Sequence, residues 1–350
     1  MDWNENSRRS FLKQLGAAGT LALASANVEA LASPAAGGQA QGAAGSSLNA
    51  TGNATGNATG PNATGVTPRA AVLKPGWRPL LDEKLTSWEL WMGVPHETVV
   101  GLPEGTPTSP TGHDGTPLGL NNDPKHVFNL RMEAGEPLLY ITGEIFGGLT
   151  TLESYSNYHL RAQIKWGNKK WAPNLNIGFD NGILYHCTGP HGAFWKVWKR
   201  SLEFQVQEKN MGDLFALAGT CGEVRVVHPG RAWVFDPVAG EPKKFAEGTL
   251  PVGTNGNRAA HLLGDFENPA GEWNTIELYT LGRTSVHVVN GHVDNVIQNA
   301  STIEGPEYTE MPLSSGQLQI QSEGAETYWR RVEIEPITEF PAEIEKAAGL

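Results

Sequence analysis

The densest run of chemically capable residues is Leu202-Glu203-Phe204-Gln205-Val206-Gln207-Glu208. On a strand, alternate side chains share a face. Glu203, Gln205 and Gln207 then project together, with Leu202, Phe204 and Val206 packing behind. Such a row suits the floor of a concave site, and it equally suits the solvated face of an ordinary antiparallel strand. Trp166, Tyr185, Trp195 and Trp198 lie near it in sequence. Rings beside polar rows suit sugars, which offer a C–H face for stacking and hydroxyls for hydrogen bonds. A second run, Asp180-Asn181-Gly182-Ile183-Leu184-Tyr185-His186, ends in an imidazole with a carboxylate just upstream. If its strand is regular, His186 points with Leu184 and Gly182, and Asp180 can orient and tune it. A lone histidine is more often structural than catalytic. His186, Glu203 and Asp213, with Glu208 nearby, also form a nitrogen and oxygen set that suits a divalent cation, although their spacing matches no fixed metal signature. Late in the chain, Gln317-Leu318-Gln319-Ile320-Gln321-Ser322-Glu323 repeats the alternation. Gln321 and Glu323 reach a shared site if this strand neighbours that of Glu203.

The elements that must position these residues read as strands. Short apolar or alternating runs occur at Leu138–Ile141, Tyr158–Trp166, Gly182–His186, Leu202–Gln207, Val224–Val227, Thr275–Tyr279, Ser285–Val289, Leu318–Gln321 and Val332–Ile334. Gly, Asn and Pro punctuate the gaps. Asn290-Gly291 between two such runs is the dipeptide a tight type I′ hairpin prefers. No long stretch carries a helical period. Many short strands in one unit predict an all-β, two-sheet β-sandwich or jelly roll. Residues 94 to 127 and 228 to 270 are rich in loop formers and are expected to lie as long loops on the rim.

The first residues bound where this domain works. Ser7-Arg8-Arg9-Ser10-Phe11-Leu12-Lys13 matches a twin-arginine export signal, followed by an Ala- and Gly-rich stretch with small residues at candidate cleavage sites. We expect a signal over residues 1–32, a low-complexity tether over 33–69 and a single folded domain over 70–350. The expected location is periplasmic or extracellular. Asn49, Asn53, Asn57 and Asn62 open N-x-T sequons, read as tether composition because the export route is not the glycosylating one. No segment approaches the roughly twenty apolar residues of a membrane helix. The net charge of −11 argues against nucleic acid as a partner. Cys187 and Cys221 are too few for a disulfide framework, and either one bridge or two free thiols fits the sequence.

Taken in order, the motifs resemble the 3-keto-disaccharide hydrolase family, whose fold is a concanavalin-like β-sandwich. Gly76-Trp77-Arg78-Pro79-Leu80-Leu81-Asp82, followed by Trp88, resembles its opening strand. Gly147-Gly148-Leu149-Thr150-Thr151 and Tyr158-His159-Leu160 through Lys165-Trp166-Gly167 resemble the next two. Asp180-Asn181-Gly182-Ile183 stands at its N-S-G-[IV] motif, and Glu203-Phe204-Gln205 at its E-x-Q motif. Gly271-Glu272-Trp273-Asn274 and Asn290-Gly291 match a late hairpin. The resemblance implies that a partner oxidoreductase oxidises the sugar at C3. A base then removes the acidified C2 proton, the C1 substituent leaves, and water adds back. Such a site needs a base, an electrophile for the enolate oxygen and an acid for the leaving group. On this chain His186 is the candidate base. Lys165, or a cation held by Glu203, is the candidate electrophile, and Glu208 or Asp213 the acid. Trp166, Asp180, Asn181, Tyr185, Trp195, Trp198, Gln205, Gln207, Gln321 and Glu323 are the candidate carbohydrate contacts. Two other readings share the fold. A retaining β-glucanase uses an E-x-D-x-x-E strand, and Glu203-x-Gln205-x-x-Glu208 keeps its outer carboxylates. Those carboxyls must stand about 5–5.5 Å apart, so a bulge would be required. A non-catalytic carbohydrate-binding module is the other, since fold does not fix function.

Overall fold

The computed structural model describes residues 68–230, 232–246, 259–305 and 307–350. The expected signal and nearly all of the tether lie outside these residues. Arg69, assigned to the tether, instead opens a short strand, Arg69–Ala70, that pairs in parallel with Glu153–Ser154. Every run read as a strand falls inside one. They assemble into two antiparallel sheets, so the all-β two-sheet sandwich stands. The small sheet runs Ala259–Ala260, Leu214–Leu217, Arg200–Gln207, Asp180–Thr188, Gln317–Ser322, Gly147–Thr151, Trp88–Met92 and Gly119–Leu120 from edge to edge. The large sheet runs Val234–Phe235, Thr220–Val227, His292–Glu304, Thr284–Val289, Asn274–Leu281, Tyr158–Lys170, Ala325–Pro336, Glu136–Ile141 and Phe128–Glu133. Residues 94–127 are largely irregular, and Gly119–Leu120 within them adds an edge strand to the small sheet. At the hairpin, Asn290 and Gly291 both take positive φ, 50° and 81°, as a type I′ turn requires.

Alternation decides what each face carries. On the small sheet Ile183, Tyr185, Leu202, Phe204, Val206, Leu318 and Ile320 enter the main core. From the large sheet Leu160, Ala162, Ile164, Ile276, Leu278 and Trp329 meet them. Each fully buried Leu or Phe contributes about 1.5–3 kcal/mol. Polar contacts tie the two inner faces: Tyr185 Oη bonds Ser285 Oγ at 2.8 Å, and Asn181 Nδ2 donates to Thr327 Oγ1 at 3.3 Å. A second apolar cluster of Phe146, Leu184, Cys187, Phe194, Val197, Trp198 and Leu217 lies on the outer face of the small sheet. There the 189–199 loop folds over Leu184. The one α-helix among the described residues, Ala342–Ala348, was not anticipated. Its Ile344 and Ala348 pack into the core, and Gly349 ends it in the left-handed conformation. Cys187 and Cys221 are both buried free thiols, which settles the sequence alternatives in favour of no bridge.

Candidate functional site

The outer face of the small sheet carries the polar floor. The register sets Asp180 opposite Gln207, Gly182 opposite Gln205 and Leu184 opposite Glu203. On the other side of the same central strand, Leu184 faces Gln319, which places Gln321 beside Gly182. The Glu203 and Gln321 strands are therefore not neighbours: the Gly182 strand lies between them. What joins them is the missing side chain. A Cβ on Gly182 would stand 2.4 Å from Gln321 Oε1 and 2.5 Å from Glu203 Oε1, so both side chains lie across the glycine. Gly148 serves Gln319 in the same way, with Gln319 Cδ and Nε2 each 2.4 Å from its hypothetical Cβ. Two glycines thus let long polar side chains lie flat on a floor that side chains would otherwise fill.

The polar groups of this floor are buried and directed. Asn210 Nδ2 donates to Gln207 Oε1 at 2.5 Å, and Gln207 Nε2 donates to Asp180 Oδ2 at 2.7 Å. Asp180 Oδ1 has no hydrogen-bond partner among the described residues, and neither do Gln205 Oε1 and Gln321 Oε1. Buried acceptors are normally satisfied, so these orphans, with Gln317 Oε1 farther along the same row, make this face the candidate site. Burial pushes the Asp180 carboxyl up to about 7, against the pull of the Gln207 bond. At the floor's edge Gln205 N bonds Asp213 O, while the Asp213 carboxylate accepts from His261 Nδ1 at 2.7 Å and from Leu262 N at 2.7 Å. On the other flank Trp91 stacks on His191 at 5.3 Å, and His191 Nε2 bonds Glu89 Oε1 at 2.9 Å. Trp195, half-buried, stacks on His113 at 4.6 Å. It and Lys196 both take positive φ, an uncommon conformation for two consecutive non-glycine residues.

Several sequence assignments are corrected by these positions. His186 does not point with Gly182: it sits in a β-bulge with φ +52°, where the pairing shifts on both sides of its strand. Its ring lies against Tyr185, 5.3 Å between centroids, neither nitrogen has a partner, and burial holds it down to about 4. That is a neutral structural histidine. Lys165 stands on the large sheet, where Leu160, Ala162, Ile164 and Trp166 point inward and His159, Arg161, Gln163 and Lys165 outward. The whole sandwich therefore separates it from Glu203. Trp166, Asn181 and Tyr185 face the core and are not surface contacts; Trp166 Nε1 donates to Glu267. Trp198 belongs to the covering loop and is buried against the sheet, with Nε1 donating to Gly147 O. Glu323 lies just past the end of its strand. Among the described residues no three His, Cys, Asp or Glu side chains are placed to share a metal ion, so His186, Glu203 and Asp213 do not form the expected set. Glu208 lies beyond the end of the Arg200–Gln207 strand, where its backbone N–H donates to Phe179 O at 2.9 Å. The ladder from Glu203 to Gln207 has no bulge, so the paired carboxylates of a retaining glucanase are not assembled. Trp91, Gln319, His191 and the two glycines were missed as site residues. Gln319 was visible in the Gln repeat, and the others became visible only once strand order was known.

A two-sheet sandwich with a polar, aromatic-flanked outer face defines the class of carbohydrate-active β-sandwich domains. The chain belongs to the 3-keto-alpha-glucoside-1,2-lyase-like domain family, whose profile matches residues 76–335. Among solved structures it is similar to a candidate glycosyl hydrolase from Parabacteroides distasonis at 14% identity, covering 75% of this chain and 100% of that one, TM-score 0.39. A second such protein from the same organism matches at 15% identity, covering 75% and 94%, TM-score 0.37. A β-glucanase from Bacillus licheniformis matches at 9%, covering 75% and 98%, TM-score 0.35. Comparison with curated proteins gave no match.

Proposed function

We propose that the polar floor takes a glycoside already oxidised at C3 and that Asp180 is the base that removes its C2 proton. Family membership supports the substrate class. The observation that carries the role is the Asn210–Gln207–Asp180 relay, which fixes one oxygen of a buried carboxylate and leaves the other unpartnered on the floor. A base held near neutrality suits abstraction from carbon beside a ketone. The C2 proton passes to Asp180, and the C2–H electrons become the enolate. Collapse of the enolate expels the C1 substituent, whose oxygen takes a proton from Glu203. Addition of water across C1 and C2 completes net hydrolysis. The carboxamides of Gln205 and Gln321 face the same floor and supply hydrogen bonds to the enolate oxygen.

Two companion proposals rest on the sequence alone. The Ser7–Lys13 motif supports twin-arginine export to the periplasm or beyond. The chemistry itself calls for a sugar oxidoreductase that makes the substrate. Mass analysis of products from a 3-keto-glucoside and from the same unoxidised glucoside, with and without chelator, tests the activity. Turnover of the keto-sugar alone is expected. Retention of sugar with no turnover of either substrate would leave a binding module, and turnover of the unoxidised glucoside would restore ordinary hydrolysis.

A further inference from the structure

The outer face of the large sheet, opposite the polar floor, carries a continuous series of cations and rings. The Arg330 guanidinium lies 4.0 Å from the Trp273 ring centroid, and Lys165 Nζ lies 5.0 Å from the same ring. Lys165 Nζ is also 5.2 Å from Tyr328, which stacks on Tyr140 at 5.1 Å. The Arg131 guanidinium covers Tyr140 at 4.1 Å. The ladder crosses from Trp273, which precedes the Asn274–Leu281 strand, to the Phe128–Glu133 strand, four strand spacings or roughly 19 Å.

The same face holds its own comparison. Towards the start of the Tyr158–Lys170 strand each basic side chain has a carboxylate: His159 Nε2 meets Glu277 at 2.7 Å, and Arg161 is paired with Glu333. Farther along it, Lys165, Arg330 and Arg131 have no carboxylate at ion-pair distance among the described residues. The nearby Glu326 is engaged elsewhere, by the Tyr140 hydroxyl at 2.5 Å and Asn168 N at 2.8 Å. Three cations in one row without a carboxylate at ion-pair distance stand out on a chain of net charge −11, although Glu136 lies near enough to feel the Arg330 charge. The rings and the Gln163 bond to Arg330 Nε at 2.8 Å hold them in place, so little side-chain entropy remains to be lost on binding.

We propose that this ladder binds the carboxylates of an acidic polysaccharide, a uronate-bearing chain laid across the large sheet. Length and spacing suit an extended polymer, not a single sugar. Duplex nucleic acid carries about one charge per 1.7 Å, more densely than one carboxylate per sugar, and so would meet more of the acidic molecule's repulsion; the single strand in the test separates charge from sugar chemistry. The test is affinity electrophoresis of the full chain in gels containing polygalacturonate, neutral dextran or single-stranded oligothymidylate. Retardation by polygalacturonate alone is expected, weakening as salt rises from about 20 to about 200 mM. Arg330→Gln and Arg131→Gln together should weaken it about tenfold, Arg330→Lys should largely preserve it, and Asp180→Asn should leave it unchanged. Equal retardation by dextran, preference for the oligonucleotide, or full retention by the double variant at unchanged thermal stability would each overturn the proposal.

Discussion

Asp180→Asn separates catalysis from stability at one buried atom. The substitution is isosteric, and the carboxamide oxygen can still accept from Gln207 Nε2, now at 2.7 Å from Asp180 Oδ2. What disappears is the ability to hold a proton taken from substrate. Loss of a positioned general base costs about 10²–10⁴ in rate. Stability should move the other way. The Asp180 carboxyl has an ordinary value of 3.8 and stands at about 7 in the folded protein, chiefly through burial. Between those values the folded state holds a proton that the unfolded state releases, so stability falls as pH rises. At about 1.4 kcal/mol per unit the burden reaches at most about 4 kcal/mol above pH 7. Asn carries none of it. The variant should therefore melt close to the wild type near pH 4 and distinctly higher at pH 8, while kcat/KM on a 3-keto-glucoside collapses. In the wild type kcat/KM should rise through pH 7 to a plateau. Thermal melts across pH, beside turnover by product mass, measure both. Turnover by the variant within threefold of wild type, or melting curves that do not diverge with pH, would refute the reasoning.

Two further outcomes follow from the same geometry. Gly182→Ala puts a methyl group 2.4 Å from Gln321 Oε1 and 2.5 Å from Glu203 Oε1. Turnover should fall at least about a hundredfold for a stability loss of about 1–3 kcal/mol, read by parallel activity and urea unfolding; near-normal turnover would mean that the two side chains need not lie flat. Asp294 is buried with both carboxyl oxygens unpartnered, and burial with the charges of Asp213 and Asp265 pushes it up to about 9. Asp294→Asn should gain stability over the wild type as pH rises from about 4 to about 9, the window in which only the unfolded wild type ionises there; a melting-temperature difference constant with pH would contradict this.

The alternation of Glu203, Gln205 and Gln207 and of Gln317, Gln319 and Gln321 was legible because period two is a local property of the chain. The floor these rows build was not, because it depends on which strand lies between them. Lys165 shows the limit most plainly. Its own strand alternates cleanly, yet nothing in that pattern says which of two sheets the strand joins. His186 fails for a different reason: one residue in the left-handed region turns the side chain over, and its sequence carries no glycine to announce the bulge. Tyr185 and Trp166 were drawn to the site by ring chemistry, but the sandwich needed them to fill its interior. Asp180 was named as a sugar contact, and only its burial and the Gln207 relay make it the proposed base.

Two segments flanking the sandwich are fastened to the large sheet. Arg78–Pro79 pairs with the Ala325–Pro336 strand, and the closing Ala342–Ala348 helix lies against the His292–Glu304 strand of that sheet, its Glu343 acting on the outward-facing Tyr279. A protein anchored to a bead or an electrode through its C-terminus would thus turn the glycine-floored face towards the solution. Immobilisation from that end should preserve access to dissolved substrate while hiding the cation-and-ring ladder against the support.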